Sequence, residues 1–366
     1  MTRQEMTKAL QATEYDFLVQ RPELGDNIIL LGLGGSHAYG TNVEGSDLDI
    51  RGVATNTRTN IIMGSRFEQS VDTATDTTIY AFDKLIALLC NCNPNIVELL
   101  GLKPEHYLYT SHFGQLLLDN RHIFLSKRAI HSFGGYANSQ LRRLENKASK
   151  TASQEQEEQF ILRSIESAQV DFRRKYFDQP EDAIRLFIDK AVNDGMDTEI
   201  FMDVDLKHYP LRDYKDMISE MNSIIKSYKS IGRRNGNALA HGKIAKHMMH
   251  LIRLYIMCID ILADGEIITY RDKDHDFLMD IRNGKYLDEG DQPIPAFYEL
   301  INDLENDLEY WKQHTQLPDS PDMNKVNGLL YEVNETICMN CSNLYYGDIP
   351  FTKWRKRRGL SNGNRQ

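Results

Sequence analysis

The reading of this chain turns on Gly35-Ser36-His37-Ala38-Tyr39-Gly40-Thr41, followed at once by Ser46-Asp47-Leu48-Asp49-Ile50-Arg51-Gly52-Val53. The first segment ends an apolar run, Ile28-Ile29-Leu30-Leu31, which reads as a buried strand running into a glycine turn. The second alternates polar and apolar residues, which is strand periodicity. It sets Leu48, Ile50 and Gly52 on one face and Asp47, Asp49 and Arg51 on the other. Two carboxylates at i and i+2 of a strand repel each other at short range unless a cation joins them.

Magnesium suits such an oxygen-only pair, because it takes a few carboxylates and completes its shell with water and phosphate oxygens. The Gly34-Gly35-Ser36 turn lets backbone N–H groups and a hydroxyl approach phosphate, and a helix starting there adds its positive end. Phosphate on one side and metal on the other describe in-line attack on an α-phosphate with pyrophosphate leaving. Such a site is usually completed by a third carboxylate from a neighbouring strand. Asp76 is the first choice because it heads the β-rich segment Asp76-Thr77-Thr78-Ile79-Tyr80, with Asp72 and Glu68 in reserve.

Other glycine motifs fit less well. Gly35-x-x-x-x-Gly40-Thr41 has P-loop spacing without the lysine ahead of Thr41, and after Gly32 and Gly34 the third position of a dinucleotide fingerprint is His37. The plain structural alternative is a tight turn followed by a surface Asp-x-Asp strand.

The 366 residues, 41% hydrophobic and 26% charged, suit a soluble globular protein of two domains. No apolar run approaches the roughly 18 residues of a membrane span, and the N-terminus lacks the apolar core of a secretory signal, so the expected location is cytoplasmic. A net charge of −10 argues against a protein that coats DNA or other nucleic acid through its overall field, although a local basic groove remains compatible. Five cysteines fit a reducing compartment. Cys90-x-Cys92 and Cys338-x-x-Cys341 have the residues for a zinc site, but the first pair ends an apolar helix and its spacing is short.

The segments from Phe67 to Val71 and from Thr77 to Phe82 read as strands, and a helix starts at Lys84 and breaks at Pro94. From about residue 110 the pattern is mostly helical. The expected architecture is α+β, with a small mixed β-sheet catalytic domain over residues 1–130 and a mostly helical domain over 131–340. A basic, mobile tail over 341–366 contains Lys353-Trp354-Arg355-Lys356-Arg357-Arg358. A long helix from about Lys243 to Ala263 has an apolar stripe through Met248, Leu251, Ile252, Tyr255, Ile256 and Ile259, and Gly265 stops it.

Gly35-Ser36-x-Ala38-x-Gly40-Thr41 with Ser46-Asp47-x-Asp49-Ile50 resembles the signature of the DNA polymerase β-like nucleotidyltransferases. Asn93-Pro94-Asn95-Ile96-Val97-Glu98-Leu99-Leu100 and the segment from Lys246 to Leu254 narrow the resemblance to the RlaP branch, linked with RNA repair and often carried by phages. It implies a catalytic sheet domain followed by helices that close over the nucleotide. Gly35 and Ser36 would hold the triphosphate, with Tyr39, Gly40 and Ser46 beside them. Asp47, Asp49 and, by position, Asp76 would carry Mg2+ or Mn2+. The implied reaction moves a nucleoside monophosphate from an NTP to a hydroxyl, with an RNA end ranked first, in the host cytoplasm for a phage-borne copy. A protein side chain, a small molecule, or an inactive nucleotide- or RNA-binding module are the alternatives.

Lys246, His250 and Arg253 lie at i, i+4 and i+7, one stripe of a single helix. That spacing by itself describes a solvated basic face, whereas the resemblance favours a cationic stripe toward β- and γ-phosphates. Asn93, Asn95 and Glu98 read either as polar residues of the cleft or as a helix start with Asn95 as N-cap and Glu98 completing a capping box. Arg142 and Arg143 are candidate acceptor contacts, or plain surface arginines.

Overall fold

The computed structural model of the chain describes residues 3–148, 184–190, 198–211, 214–215, 217–219, 221–222, 243–289, 292–340 and 349–359. They belong to two compact units. One comprises Met1–Ala137, Ile252–Asp280 and Glu299–Gln366, and the other Asn138–Leu251 and Ile281–Tyr298.

The first unit opens with the helices α1 (Arg3–Ala9) and α2 (Phe17–Gln20), and then β1 (Ile28–Leu33), which is buried along its whole length as its unbroken apolar run requires. The short helix α3 (Gly35–Tyr39) leads to β2 (Ile50–Ala54), and α4 (Arg58–Met63) precedes β3 (Gln69–Asp72) and β4 (Thr77–Ala81). After α5 (Phe82–Cys90) and α6 (Pro94–Leu100), β5 (Tyr107–Thr110) completes a mixed five-stranded sheet in the order β3-β4-β2-β1-β5. Only β2 and β4 pair in parallel, and the two are joined through α4 and the edge strand β3. The fold is α+β, a small mixed sheet followed by a mostly helical region.

The remaining helices are α7 (His112–Asp119), α8 (Arg128–Ala148), α9 (Lys243–Asp264), α10 (His275–Arg282), α11 (Pro295–His314), α12 (Met323–Asn340) and α13 (Phe351–Gly359). The second unit contains an antiparallel hairpin, β6 (Ile184–Lys190) with β7 (Thr198–Val204). The domain boundary expected near residue 130 falls inside α8, and helices from both 252–280 and 299–366 belong to the sheet-bearing unit.

Several local expectations are refined. The strand expected from Asp47 begins at Ile50, because its partner β1 ends at Leu33, opposite Ile50, where the chain turns into α3. Asp49 stays attached through its carbonyl, which accepts from Gly34 N–H at 2.8 Å. The N-cap of α6 is Asn93, whose side chain accepts from Asn95 N–H, with Pro94 at the first helical position; the capping box on Asn95 does not form. Gly265, at φ 68°, stops α9 in the left-handed conformation that glycine adopts freely. That helix is buried more widely than one stripe, through Leu254, Met257, Cys258 and Ile261 as well.

The expected mobile tail contains a docked helix instead. Phe351 is fully buried, and Trp354 packs against Phe351 and Tyr109. Arg355 donates to the Leu10 and Ala12 carbonyls and to Asp16. Burying two aromatic rings outweighs the charge of the helix that carries them. Cys90 and Cys92 are buried, with their thiols pushed up chiefly by burial, while Cys341 lies outside the described residues.

Candidate active site

The turn from β1 into α3 needs glycine for two separate reasons. Gly35 has φ 57°, and a Cβ built on it would stand 1.6 Å from Asp49 Oδ2. Gly34 lies against the Arg51 side chain, where a Cβ would meet Cγ at 3.0 Å. Asp49 and Arg51, two residues apart on the extended chain, therefore both rest on the glycine backbone.

Beside this turn is a cavity of about 310 Å3. Leu33, Gly34, Gly35, Ala38 and Tyr39 form one wall, and Arg51, Thr78 and Tyr80 come from one face of the paired strands β2 and β4. Asn95, Glu98 and Leu99 of α6 and Tyr136 of α8 complete it. The volume is at the lower end of the range for small-molecule sites, and the wall combines tyrosines with a few polar groups, the usual composition of such sites.

Two arginine–carboxylate pairs each have one member in the lining of this cavity, Arg51 of the first and Glu98 of the second. Arg51 donates through Nη1 to the carbonyls of Ile50 at 3.0 Å and Asp76 at 2.6 Å, and through Nη2 to Asp76 Oδ1 at 3.2 Å. Asp76 makes this possible by taking a left-handed backbone, φ 43°, that turns its carbonyl and its carboxylate to the same guanidinium. Arg253 donates to Glu98 Oε1 at 2.6 Å and lies 3.5 Å over the Tyr39 ring, while the Tyr39 hydroxyl donates to Glu98 Oε2 at 2.6 Å. Burial pushes the Tyr39 hydroxyl well above its usual range; Arg253 opposes this and Glu98 adds to it. Thr269 Oγ1 donates to the Glu98 carbonyl, and Arg271 N–H to the Tyr39 carbonyl, so the far end of α3 is tied down. Gly40, at φ 79°, closes that end because a Cβ there would stand 2.6 Å from the Tyr270 ring.

The residues singled out in the sequence are thus sorted by their surroundings. Asp47 is exposed and Asp49 half-buried. Asp76 pairs with Arg51 at the head of β4, and Asp72 is taken by Arg21 and Thr75 and Glu68 by Lys84. Ser36 is buried in α3. Ser46 closes a turn on Val43, its hydroxyl accepting from Val43 N–H, and its carbonyl lies 3.3 Å from His37 Nε2. Arg253 is buried and Lys246 is exposed, and neither these two nor His250, Asp47, Asp49 and Asp76 are among the described residues lining the cavity. The Arg142 and Arg143 side chains lie outside the described residues. Among the described residues, no three or more His, Cys, Asp or Glu side chains are grouped to hold a metal ion. No described helix is long and apolar enough to cross a membrane.

Sequence reasoning missed Arg51 and the buried Tyr39–Glu98–Arg253 lock. The alternation Asp47, Asp49, Arg51 carried the signal for the first, whereas the lock joins residues 59 and 155 positions apart and carries none.

A glycine turn leaves the first strand of a small mixed sheet, and two spaced aspartates lead into the next. Residues 2–170 match the family model RlaP, described as an RNA repair pathway DNA polymerase beta family. The segment from Lys246 to Leu254, which resembles the same branch, lies beyond the matched span. No curated protein and no solved structure matches the chain.

Proposed function

We propose that the protein is a metal-dependent nucleotidyltransferase that moves a nucleoside monophosphate from an NTP to the hydroxyl of an RNA end. The observation that carries this reading is the glycine turn on which Asp49 and Arg51 both rest, at the edge of a cavity large enough for part of a nucleotide. The family's description supports RNA as the acceptor class.

The donor set at Asp47 and Asp49 fits Mg2+ or Mn2+. Both residues offer only carboxylate oxygens, and Mg2+ commonly sits on one or two carboxylates plus phosphates and water. A protein-only cage of three or more ligands is not required. When bound, the metal would supply Lewis-acid stabilisation of the phosphates and a lowered pKa for the attacking hydroxyl.

The chain's own contributions are separable. The Gly34-Gly35 backbone gives close approach to phosphate, the tyrosines and Leu99 of the cavity shelter the nucleoside, and the lock on Tyr39 fixes α3. In the transfer, the acceptor oxygen bonds to the α-phosphorus and its proton passes to water. The α–β bridging P–O bond breaks, and pyrophosphate leaves with the electron pair.

The test is label transfer from each α-labelled NTP, with Mg2+ or Mn2+, into mixed RNA and into the protein itself. Label on RNA with wild type and none with the Asp47→Ala/Asp49→Ala variant is the expected result. Label on the protein alone would replace the acceptor. Nucleotide binding without transfer would point to a small-molecule acceptor, and loss of both would overturn the catalytic reading.

A further inference from the structure

We propose that Arg51 is the cation that receives the β- and γ-phosphates of the triphosphate, and that Asp76 is its positioning residue. The proposal rests on the nucleotidyltransferase reading for the identity of the ligand and on four observations for the residue. Arg51 is the only cationic side chain among the described residues that line the cavity. Its side chain lies along the glycine turn, with Nε 3.6 Å from where a Gly34 Cβ would be.

A guanidinium has five N–H donors, and the bonds to Ile50 and Asp76 occupy three of them. Nε–H and one Nη2 hydrogen have no partner among the described residues and are left for a ligand. Two of the three occupied donors go to neutral carbonyls, and the Asp76 carboxylate is 63% exposed, where water screens its charge. The pair therefore orients the guanidinium without extinguishing its field at the cavity. Arg253, which does not line the cavity, is engaged differently: it is 4% exposed and spends its charge on Glu98.

A planar fork held at its back is the arrangement that recognises phosphate through paired hydrogen bonds. Asp76 thus acts through Arg51, and its left-handed backbone places carbonyl and carboxylate on one guanidinium.

Mg2+-tripolyphosphate, pyrophosphate and orthophosphate, titrated calorimetrically against the full-length protein, probe the phosphate chain independently of base and acceptor. Wild type is expected to bind tripolyphosphate more tightly than orthophosphate. Arg51→Ala should lose about ten- to a hundredfold on tripolyphosphate and little on orthophosphate, which flattens the chain-length preference. Arg51→Lys should retain part of it, and Asp76→Asn should lose a few-fold while wild-type Mn2+ affinity persists.

Wild-type affinity and preference in Arg51→Ala, or no tripolyphosphate binding by wild type, would overturn the proposal. So would loss of Mn2+ binding in Asp76→Asn, which would make Asp76 a metal ligand. If Arg51→Ala does not fold, wild-type behaviour in both Arg51→Lys and Asp76→Asn overturns it equally. An Arg51-dependent tripolyphosphate site in a protein that transfers no nucleotide would sink the proposed function alone; normal transfer with unchanged binding in Arg51→Ala would sink this inference alone.

Discussion

Arg51 and Arg253 are each paired with a carboxylate, and Arg51 and Glu98 are the members of the two pairs that line the cavity, yet the arginines do different physical work. The Arg51–Asp76 pair is 24% and 63% exposed and leaves two donors open, whereas the Arg253–Glu98 pair is 4% and 10% exposed, with the Tyr39 ring against one partner and its hydroxyl on the other. An exposed pair contributes little to stability, because water already solvates both charges. A buried pair has lost that solvation, so removing one partner strands the other. The cavity therefore has one arginine that can meet a ligand and one that holds the wall on which the ligand rests.

Substitutions at the two pairs and at the aspartates should have effects of very different size. The largest expected effect lies in the aspartates: Asp47→Ala or Asp49→Ala should lower nucleotide transfer by about a thousandfold or more in a label-transfer assay, while changing the urea midpoint little. Next is Glu98→Ala, expected to cost about 3–5 kcal/mol in urea denaturation because Arg253 is left uncompensated. The double variant Glu98→Leu/Arg253→Met should recover much of that loss. The matching change in the other pair, Asp76→Ala, should cost less than about 1 kcal/mol. Equal costs for Glu98→Ala and Asp76→Ala would erase the distinction between the pairs.

The glycine turn can be tested against a second glycine. Gly35 and Gly45 both have positive φ, but an added Cβ meets Asp49 at Gly35 and nothing within 4 Å at Gly45. Gly45→Ala should cost only the left-handed strain of about 1–2 kcal/mol and spare transfer; Gly35→Ala should cost more and abolish transfer by displacing Asp49.

The smallest effect concerns His106, whose Nδ1 is buried without a hydrogen-bond partner among the described residues and whose ring packs edgewise on Tyr270. Burial holds its pKa below the ordinary 6.5. The unfolded chain takes up the proton first as pH falls, so this contribution to stability is complete above 6.5 and is lost as pH drops through the lower folded value. His106→Phe should flatten the stability profile on the acid side, measured as melting temperature against pH.

Much of the five-stranded sheet was legible. The run from Ile28 marks β1, and the β-rich segment after Asp76 marks β4, since a buried strand needs continuous apolar or β-branched residues. Where β2 starts was less legible, because a strand ends where its partner turns away, and the turn at Gly35 precedes Asp47 and Asp49. The helix at 351–359 was concealed by its charges: Phe351 and Trp354 find Tyr109, more than 200 residues earlier in the chain.

The sequence by itself determined the glycine turn, the spaced aspartates and the match of residues 2–170 to a family model, because these rest on backbone freedom and on residue types a few positions apart. Tertiary structure alone decided which polar groups a ligand can reach. Lys246, His250 and Arg253 share a helical stripe in sequence, yet exposure and pairing belong to the space around a side chain. That space holds Glu98 and Tyr39 for Arg253 and an open cavity for Arg51.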